Sequence, residues 1–431
     1  MRKINLGLIG FGNVGSGVVK ILHEKKAFLA QKIALELNIK RICDKEIASK
    51  RNISVDRRML TRNASEIIDD PDIDIVVELI GGIHPAKEYI TEALKKGKNI
   101  VTANKALLAV AGQELFALSY DRGKNIYFEA SVGAGIPIIK ALREGLVANK
   151  FYSIFGIVNG TSNYILSQMS NSRCSFNEAL SEAKAKGFAE KDPTLDIEGI
   201  DSAHKLILLT YLCFGRFVSL DEVFIEGISR VSLADIAYAK ELGFEIKLLA
   251  IAKKEGEDLE VRVHPTLIPS AHLLASVGGI FNAIYVSSDL AGDLLFYGPG
   301  AGQLSAASSV VADLVDLTQD IKAGLFRPTL NIMPDKSIKK LRRIDDFASR
   351  YYIRFMALDK PGVLAKISGI LAKFGISIAS VTQKERRKAH EVPIVMLIHE
   401  AKEKNLRAAL ATIDRLDAIK EKPVAIRMEE L

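Results

Sequence analysis

The chain has 431 residues, 48% hydrophobic and 26% charged, with a formal net charge of +7 and three cysteines. Its length exceeds what one compact core accommodates and predicts two or three domains, while the ordinary composition excludes collagen-like and low-complexity classes. The basic residues are dispersed, and the densest group (Lys384, Arg386, Arg387, Lys388) is short, so no nucleic-acid partner is expected.

Ile4–Ile9 reads as a strand running into a glycine cluster, and Val14–Lys25 follows with helical spacing. Leu35–Cys43 alternates like a strand, Asp74–Ile80 is a continuous apolar run, Glu88–Lys96 reads as a helix and Asn99–Thr102 as a further strand. This alternation predicts a doubly wound parallel α/β sheet of the Rossmann kind over residues 1–130. Residues 131–330 are less regular, with helices at Ser175–Lys186, Asp201–Cys213 and Ser305–Asp320 and strands at Tyr152–Val158, Leu259–Val263 and Ala283–Ser287, an α+β pattern. Residues 331–350 are polar and patternless, like a linker. Over 351–431 the order Tyr351–Leu358, Val363–Phe374, Ser377–Lys384, Ile394–Ile398, Leu406–Leu416, Val424–Met428 is β-α-β-β-α-β, the ferredoxin-like arrangement.

Gly10-Phe11-Gly12-Asn13-Val14-Gly15 lies between a strand and a helix. There the first glycine permits a tight turn, the second lets backbone approach a pyrophosphate, and the third allows close helix–strand packing, with the helix N-terminus facing the phosphate charge. A dinucleotide, NADP or NAD, is the expected cofactor. Asp44, at the end of the second strand, suits the ribose hydroxyls of NAD, whereas Arg41, Lys45, Lys50 and Arg51 could take a 2′-phosphate; the residues leave the choice open.

Two lysines stand out. Lys105 follows the strand Asn99–Thr102, and open α/β sheets bind ligands beyond the carboxyl ends of their strands. Asp201 and Lys205 are four apart, on one face of a helix whose run Leu206-Ile207-Leu208-Leu209 predicts burial. A buried lysine needs a partner and its pKa moves readily, as a proton donor to a carbonyl requires; the same pair also reads as a structural ion pair. Glu190, Asp192 and Asp196 lie on a proline-containing loop upstream and suit a substrate ammonium or plain solubility. His84 and His204 lack metal-ligand spacing and read as structural.

Residues 183–205, AKAKGFAEKDPTLDIEGIDSAHK, resemble the signature segment of the homoserine dehydrogenase family, as do GFGNVG at 10–15, VTANKALLA at 101–109, EASVGAGIP at 129–137, VNGTSNYIL at 158–166 and GPGAG at 298–302. The tail, Asp359-Lys360-Pro361-Gly362-Val363-Leu364 with Phe374-Gly375-Ile376-Ser377-Ile378, resembles an ACT domain. The resemblance implies reversible NAD(P)H-dependent reduction of L-aspartate 4-semialdehyde to L-homoserine, within threonine, methionine and isoleucine biosynthesis. It implies a dinucleotide-binding domain over 1–130, a substrate-binding and dimerisation domain over 131–330, a linker over 331–350 and a regulatory ACT domain over 351–431.

By the same resemblance Lys205 donates the proton and Lys105 assists. Glu190 and Asp201 hold the substrate ammonium with Asp196 nearby, and Gly160, Thr161, Gly187 and Gly302 line the cofactor and substrate cleft, with Lys105 and Glu190 also reaching the cofactor. Glu129 and the carbonyls of Val132, Ala134 and Ile136 would bind a monovalent cation, sodium. A threonine effector at the tail and a homodimer or homotetramer are implied as well. Cys43 replaces a basic residue of many relatives, which weakens an NADP-only reading; His84 departs from the frequent GGxEP, with Gly81, Gly82 and Pro85 retained.

Two rivals remain at this level. An acylating semialdehyde dehydrogenase needs a thiolate nucleophile, and none of Cys43, Cys174 and Cys213 lies in a motif for one. A non-catalytic amino-acid sensor would have no use for both lysine motifs. With no CxxC pair, no apolar stretch near ~20 residues and an N-terminus that enters a strand directly, neither disulfides nor a membrane is expected, and the cytoplasm is the expected location.

Overall fold

The computed structural model describes residues 3–47, 49, 51, 53–328, 334–383 and 391–431. Lys50 and the basic group at 384–388 lie outside them. The chain forms two compact units, one of residues 1–158, 201–221 and 281–336, the other of 159–200, 222–280 and 337–431.

In the first unit, six parallel strands, β1 (Lys3–Ile9), β2 (Glu36–Cys43), β3 (Leu60–Thr61), β4 (Ile75–Glu78), β5 (Asn99–Thr102) and β6 (Ile126–Tyr127), stand in the order β3-β2-β1-β4-β5-β6. This is the doubly wound order expected from the alternating pattern, with its reversal between β1 and β4, where such sheets bind ligands. Strands β4 and β5 are buried throughout, which is why β4 reads as a continuous apolar run rather than an alternating one.

Four helices position the site: α1 (Asn13–Glu24), α2 (Lys105–Asp121), α3 (Ile200–Phe214) and α4 (Gln303–Ala323). Val18, Val19 and Leu22 of α1 share a core with Ala307, Val310, Val311 and Leu314 of α4. Helix α3 is buried along nearly its whole length, as its sequence predicts. An antiparallel sheet of Phe151–Ile157, Phe281–Ser288 and Gly292–Pro299 completes the unit; the last of these strands was not legible beforehand, because Gly292-Asp293 and Gly298-Pro299 break its periodicity.

In the second unit, the antiparallel pair Phe244–Glu255 and Asp258–Pro269 runs twelve residues a side. Asp258–Pro269 also pairs with Val424–Met428, which joins Ala348–Leu358, Glu391–Lys402 and Ile378–Gln383 in one sheet. Helices Val363–Lys373 and Glu403–Ile413 cover that sheet through Ile367, Leu371, Leu406 and Ile413, giving the expected ferredoxin-like arrangement. Of the stretch 331–350, residues 331–333 lie outside the described part. Lys340–Leu341 pairs with Asp258–Leu259, and Arg342 bridges Asp258 and Glu260, so this polar sequence is tied down by charge rather than by apolar periodicity.

Candidate active site

The glycine loop is built as its spacing demands. Gly10 has φ +105°, and a Cβ there would lie 2.6 Å from the Leu79 carbonyl carbon; one on Gly15 would lie 2.1 Å from the Gly10 oxygen. At Gly12, the N-cap of α1, a Cβ would meet nothing within 4 Å, leaving open space above the helix N-terminus. Such an end offers unpaired N–H groups and positive dipole to a phosphate. Asn13 and Val14 begin the helix.

Asp44 is already engaged. Its carboxylate accepts from the Phe11 N–H at 2.6 Å and the Glu46 N–H at 2.7 Å, and pairs with Arg51 at 3.3 Å. The Arg51 guanidinium lies 4.5 Å from the centre of the Phe11 ring and donates to the Phe11 carbonyl. Arg41 pairs instead with Glu66, and Lys45 is exposed.

The lysines converge. Lys205 Nζ donates to the Val158 carbonyl at 2.6 Å and to Asp201 Oδ2 at 2.7 Å, while Lys105 Nζ lies 2.7 Å from Asp201 Oδ1. One buried carboxylate therefore holds two ammonium groups. Burial pushes the Asp201 carboxyl upward, but the charges of Lys205 and Lys105 prevail and hold it far below the usual carboxylate range. Lys205 is 9% exposed and Lys105 39%, so they are a packed cation and one that reaches solvent. Burial lowers the pKa of the neighbouring His204, and Lys105 and Lys205 act in the same direction.

Sequence reasoning missed what fixes Lys105. It opens α2 behind the N-cap Asn104, whose side chain accepts from the Leu107 N–H and donates to the Gly82 carbonyl. Thr102 Oγ1 accepts from the Asn104 N–H and donates to Glu78 Oε2, which is fully buried. Burial pushes the Glu78 carboxyl up, against its hydrogen bonds from Thr102 and the Ile80 N–H. The available signal was a lone acid closing the apolar run Ile75-Val76-Val77.

Glu129 is 5% exposed, and its two oxygens accept the N–H groups of Ile139 and Lys140 at 2.8 Å each. Burial pushes Glu129 up to about 6, and Asp313, which accepts the Glu129 N–H, lies well above its usual value from burial and the charge of Glu129. Val132 and Ile136 are buried, Ala134 has φ +49°, and its carbonyl accepts from Ser309 Oγ at 2.6 Å. Gly302, with φ +133°, is the N-cap of α4.

The second unit gathers the other candidates. The Asp196 carboxylate accepts from Asn159 Nδ2 and its carbonyl from Ser162 Oγ, so Asp196 anchors the start of the helix Gly160–Ser172. Thr161 Oγ1 donates to the Phe188 carbonyl. A Cβ on Gly160 would meet the Ile280 oxygen at 2.9 Å. Gly187 is in the left-handed region at φ +72°, and Glu190 is exposed.

Family models assign these pieces directly. Residues 10–129 match the homoserine dehydrogenase NAD-binding domain, 137–315 the homoserine dehydrogenase family and 351–418 the ACT domain. Homoserine dehydrogenase of Neisseria gonorrhoeae is 43% identical with all of both chains covered, and that of Bacillus subtilis 38% identical over 100% of this chain and 99% of its own. The chain belongs to the homoserine dehydrogenase family. A Thiobacillus denitrificans homoserine dehydrogenase superposes with a TM-score of 0.91 at 43% identity, covering 100% of this chain and 99% of its own. A hyperthermophilic archaeal homoserine dehydrogenase solved with NADPH covers 76% of this chain at 28% identity, with a TM-score of 0.64 and all of its own chain covered.

The protein is therefore an NAD(P)-dependent oxidoreductase that interconverts L-homoserine and L-aspartate 4-semialdehyde. The thiols agree. Burial pushes Cys43 up to about 11 and raises Cys174 and Cys213, so a thiolate, which an acylating dehydrogenase needs, is disfavoured at all three.

Proposed function

We propose that Lys205 is the proton donor and acceptor at the substrate oxygen and that Lys105 is its partner, with Asp201 binding both. The observation that carries this is the single buried carboxylate between two ammonium groups. In the reducing direction a bound nicotinamide would supply hydride to the aldehyde carbon, and the Lys205 ammonium gives a proton to the oxygen. In the first unit Asp201 is proposed to receive the substrate ammonium and Gly302 to line the cofactor site; in the second, Glu190, Asp196, Gly160, Thr161 and Gly187 are the proposed substrate and cofactor residues. The test is oxidation of homoserine with NAD⁺ or NADP⁺, followed by the absorbance of the reduced nicotinamide; no turnover with either returns the chain to the sensor reading. The division into 1–130, 131–330, 331–350 and 351–431 is kept as a division of roles: cofactor, substrate and dimerisation, connection, regulation.

Both cofactors are proposed substrates, bound over Gly10–Gly15. The Asp44 carboxylate favours NADH, and Arg51 beside it supplies a cation for the 2′-phosphate of NADPH, with which the archaeal relative was solved. Asp44→Ser removes the anion and keeps the arginine. The ratio of kcat/KM for NADPH over NADH should rise about tenfold, the scale of one charged hydrogen bond; an unchanged ratio overturns the assignment.

A monovalent cation, sodium, is proposed at Glu129 with the carbonyls of Val132, Ala134 and Ile136. An all-oxygen set with one carboxylate suits a hard cation of low charge, and a carboxyl pushed up to about 6 is short of positive charge. Sodium chloride should raise the melting temperature above that in choline chloride of equal ionic strength at pH 8, by about 2–4 °C per ~1 kcal/mol of binding. In Glu129→Gln that difference should vanish; its persistence would move the cation elsewhere.

The ACT-like tail is proposed to take threonine as a feedback effector. Supporting a ligand role for this unit is a cavity of about 930 Å³ lined by Phe224, Glu226, Arg230, Arg407, Arg415 and Arg427. A homodimer or homotetramer is proposed, with Tyr152, Leu290 and Tyr297 each more than half exposed around the edge strand Gly292–Pro299. Among the described residues no helix is long and apolar enough to cross a membrane, and a cytoplasmic role in threonine, methionine and isoleucine synthesis is proposed.

A further inference from the structure

The loop Gly298-Pro299-Gly300-Ala301-Gly302 joins an edge strand to α4, and glycines press it against its neighbours. A Cβ on Gly298 would meet Ile136 of the cation loop at 3.1 Å, and one on Gly135 would lie 2.4 Å from Ser305 Oγ. On another side Gln303 Nε2 donates to Ser16 Oγ of α1, and a Cβ on Gly17 would lie 2.9 Å from Gln303. The loop thus touches the proposed cation loop, and the first turn of α4 that follows it touches the helix that opens the dinucleotide site.

Beneath it lies Asn282. Its backbone pairs with Gly298, its side chain is 0% exposed, and a Cβ on Gly300 would fall 2.1 Å from its carboxamide carbon and oxygen and 2.3 Å from its nitrogen. Among the described residues neither Nδ2 nor Oδ1 has a hydrogen-bond partner. A buried carboxamide with both ends unsatisfied is costly, and a leucine of the same branching would cost less. The feature is therefore uneconomical for the ligand-free fold alone.

We propose that Asn282 is a positioning residue for cofactor binding. Its idle donor and acceptor engage the backbone of the Gly298–Gly302 loop when that loop settles around the nicotinamide cofactor, and hold Gly302 in its bound place. The inference rests on the reading that Gly302 lines the cofactor cleft.

The test compares wild type with Asn282→Leu. Without cofactor the variant should be at least as stable to urea as wild type. Its Kd for NAD(P)H, read from nicotinamide fluorescence, should rise at least fivefold, and the KM for cofactor should rise without a matching rise for homoserine. Unchanged cofactor affinity, or weakened affinity together with lost ligand-free stability, overturns the proposal. Should the leucine variant fail to fold, Asn282→Asp carries the same binding readout, with wild-type affinity again overturning it. Gly302→Val separates the two ideas: if it loses cofactor affinity and Asn282→Leu does not, Asn282 alone falls, and if both bind as wild type, the cleft reading falls as well.

Discussion

Lys205→Ala should lower turnover by about 10²–10⁴-fold, the range of a well-placed general acid, while NAD(P)H binds as before. The expectation follows from packing. Lys205 Nζ is fixed by the Val158 carbonyl at 2.6 Å and Asp201 at 2.7 Å, so its ammonium cannot drift to another task. In the alanine variant Asp201 keeps Lys105 as counterion, which limits the damage to the fold. Lys205→Arg is the sharper variant, because a guanidinium retains the charge and the pairing but does not give up its proton near neutral pH. It should be nearly as inactive as alanine. Near-wild-type kcat in the arginine variant would mean that charge, and not proton transfer, is what the position supplies.

Asp201→Asn should cost both stability and rate. The substitution preserves shape and removes the buried carboxylate that pairs with both lysines, so that Lys205 loses this ion pair. Breaking a buried pair costs about 3–5 kcal/mol, mostly from the charge left behind; the Lys105 pair, partly in solvent, adds little. The pH dependence has a definite sign. Because the folded-state pKa of Asp201 lies far below the ordinary carboxyl value of about 4, its stabilisation is complete above that value and is lost as pH falls below it. Wild type should therefore exceed the asparagine variant fully at pH 7 in urea denaturation, and the gap should shrink towards pH 3. A gap independent of pH would assign the loss to packing instead.

The parts of the site legible in the sequence are the local ones. The i, i+4 spacing of Asp201 and Lys205 needs only a helix, and the glycine spacing at 10–15 needs only a strand–turn–helix. Both were realised with the contacts that the spacing implies. The second lysine of the trio was legible only as a position after a strand, since its contact with Asp201 joins residues nearly a hundred apart. Nothing local marked Glu78, Thr102 and Asn104 as one network, because they come from neighbouring strand ends and meet only when the sheet forms. Asp196 reads as a residue near an ammonium, and its carboxylate also accepts from Asn159, a tertiary hydrogen bond that no periodicity reveals. The strand Phe244–Glu255 escaped notice for another reason: with both faces largely covered at its centre it has no alternation to read.

Neither compact unit is continuous along the chain. The first needs residues up to 336 and the second needs the strand Val424–Met428, which lies between Asp258–Pro269 and Ala348–Leu358. On the ribosome the glycine loop and Lys105 emerge early, but Asp201 and Lys205 follow only after the first stretch of the second unit has been made. The sheet of that second unit cannot close until residue 428 has left the exit tunnel. Such long-range closure slows folding and prolongs exposure of unpaired strand edges. Synthesis of this enzyme should accordingly pass through a lengthy partly folded stage, in which the nascent chain depends on chaperones to shield edges that the finished protein has paired.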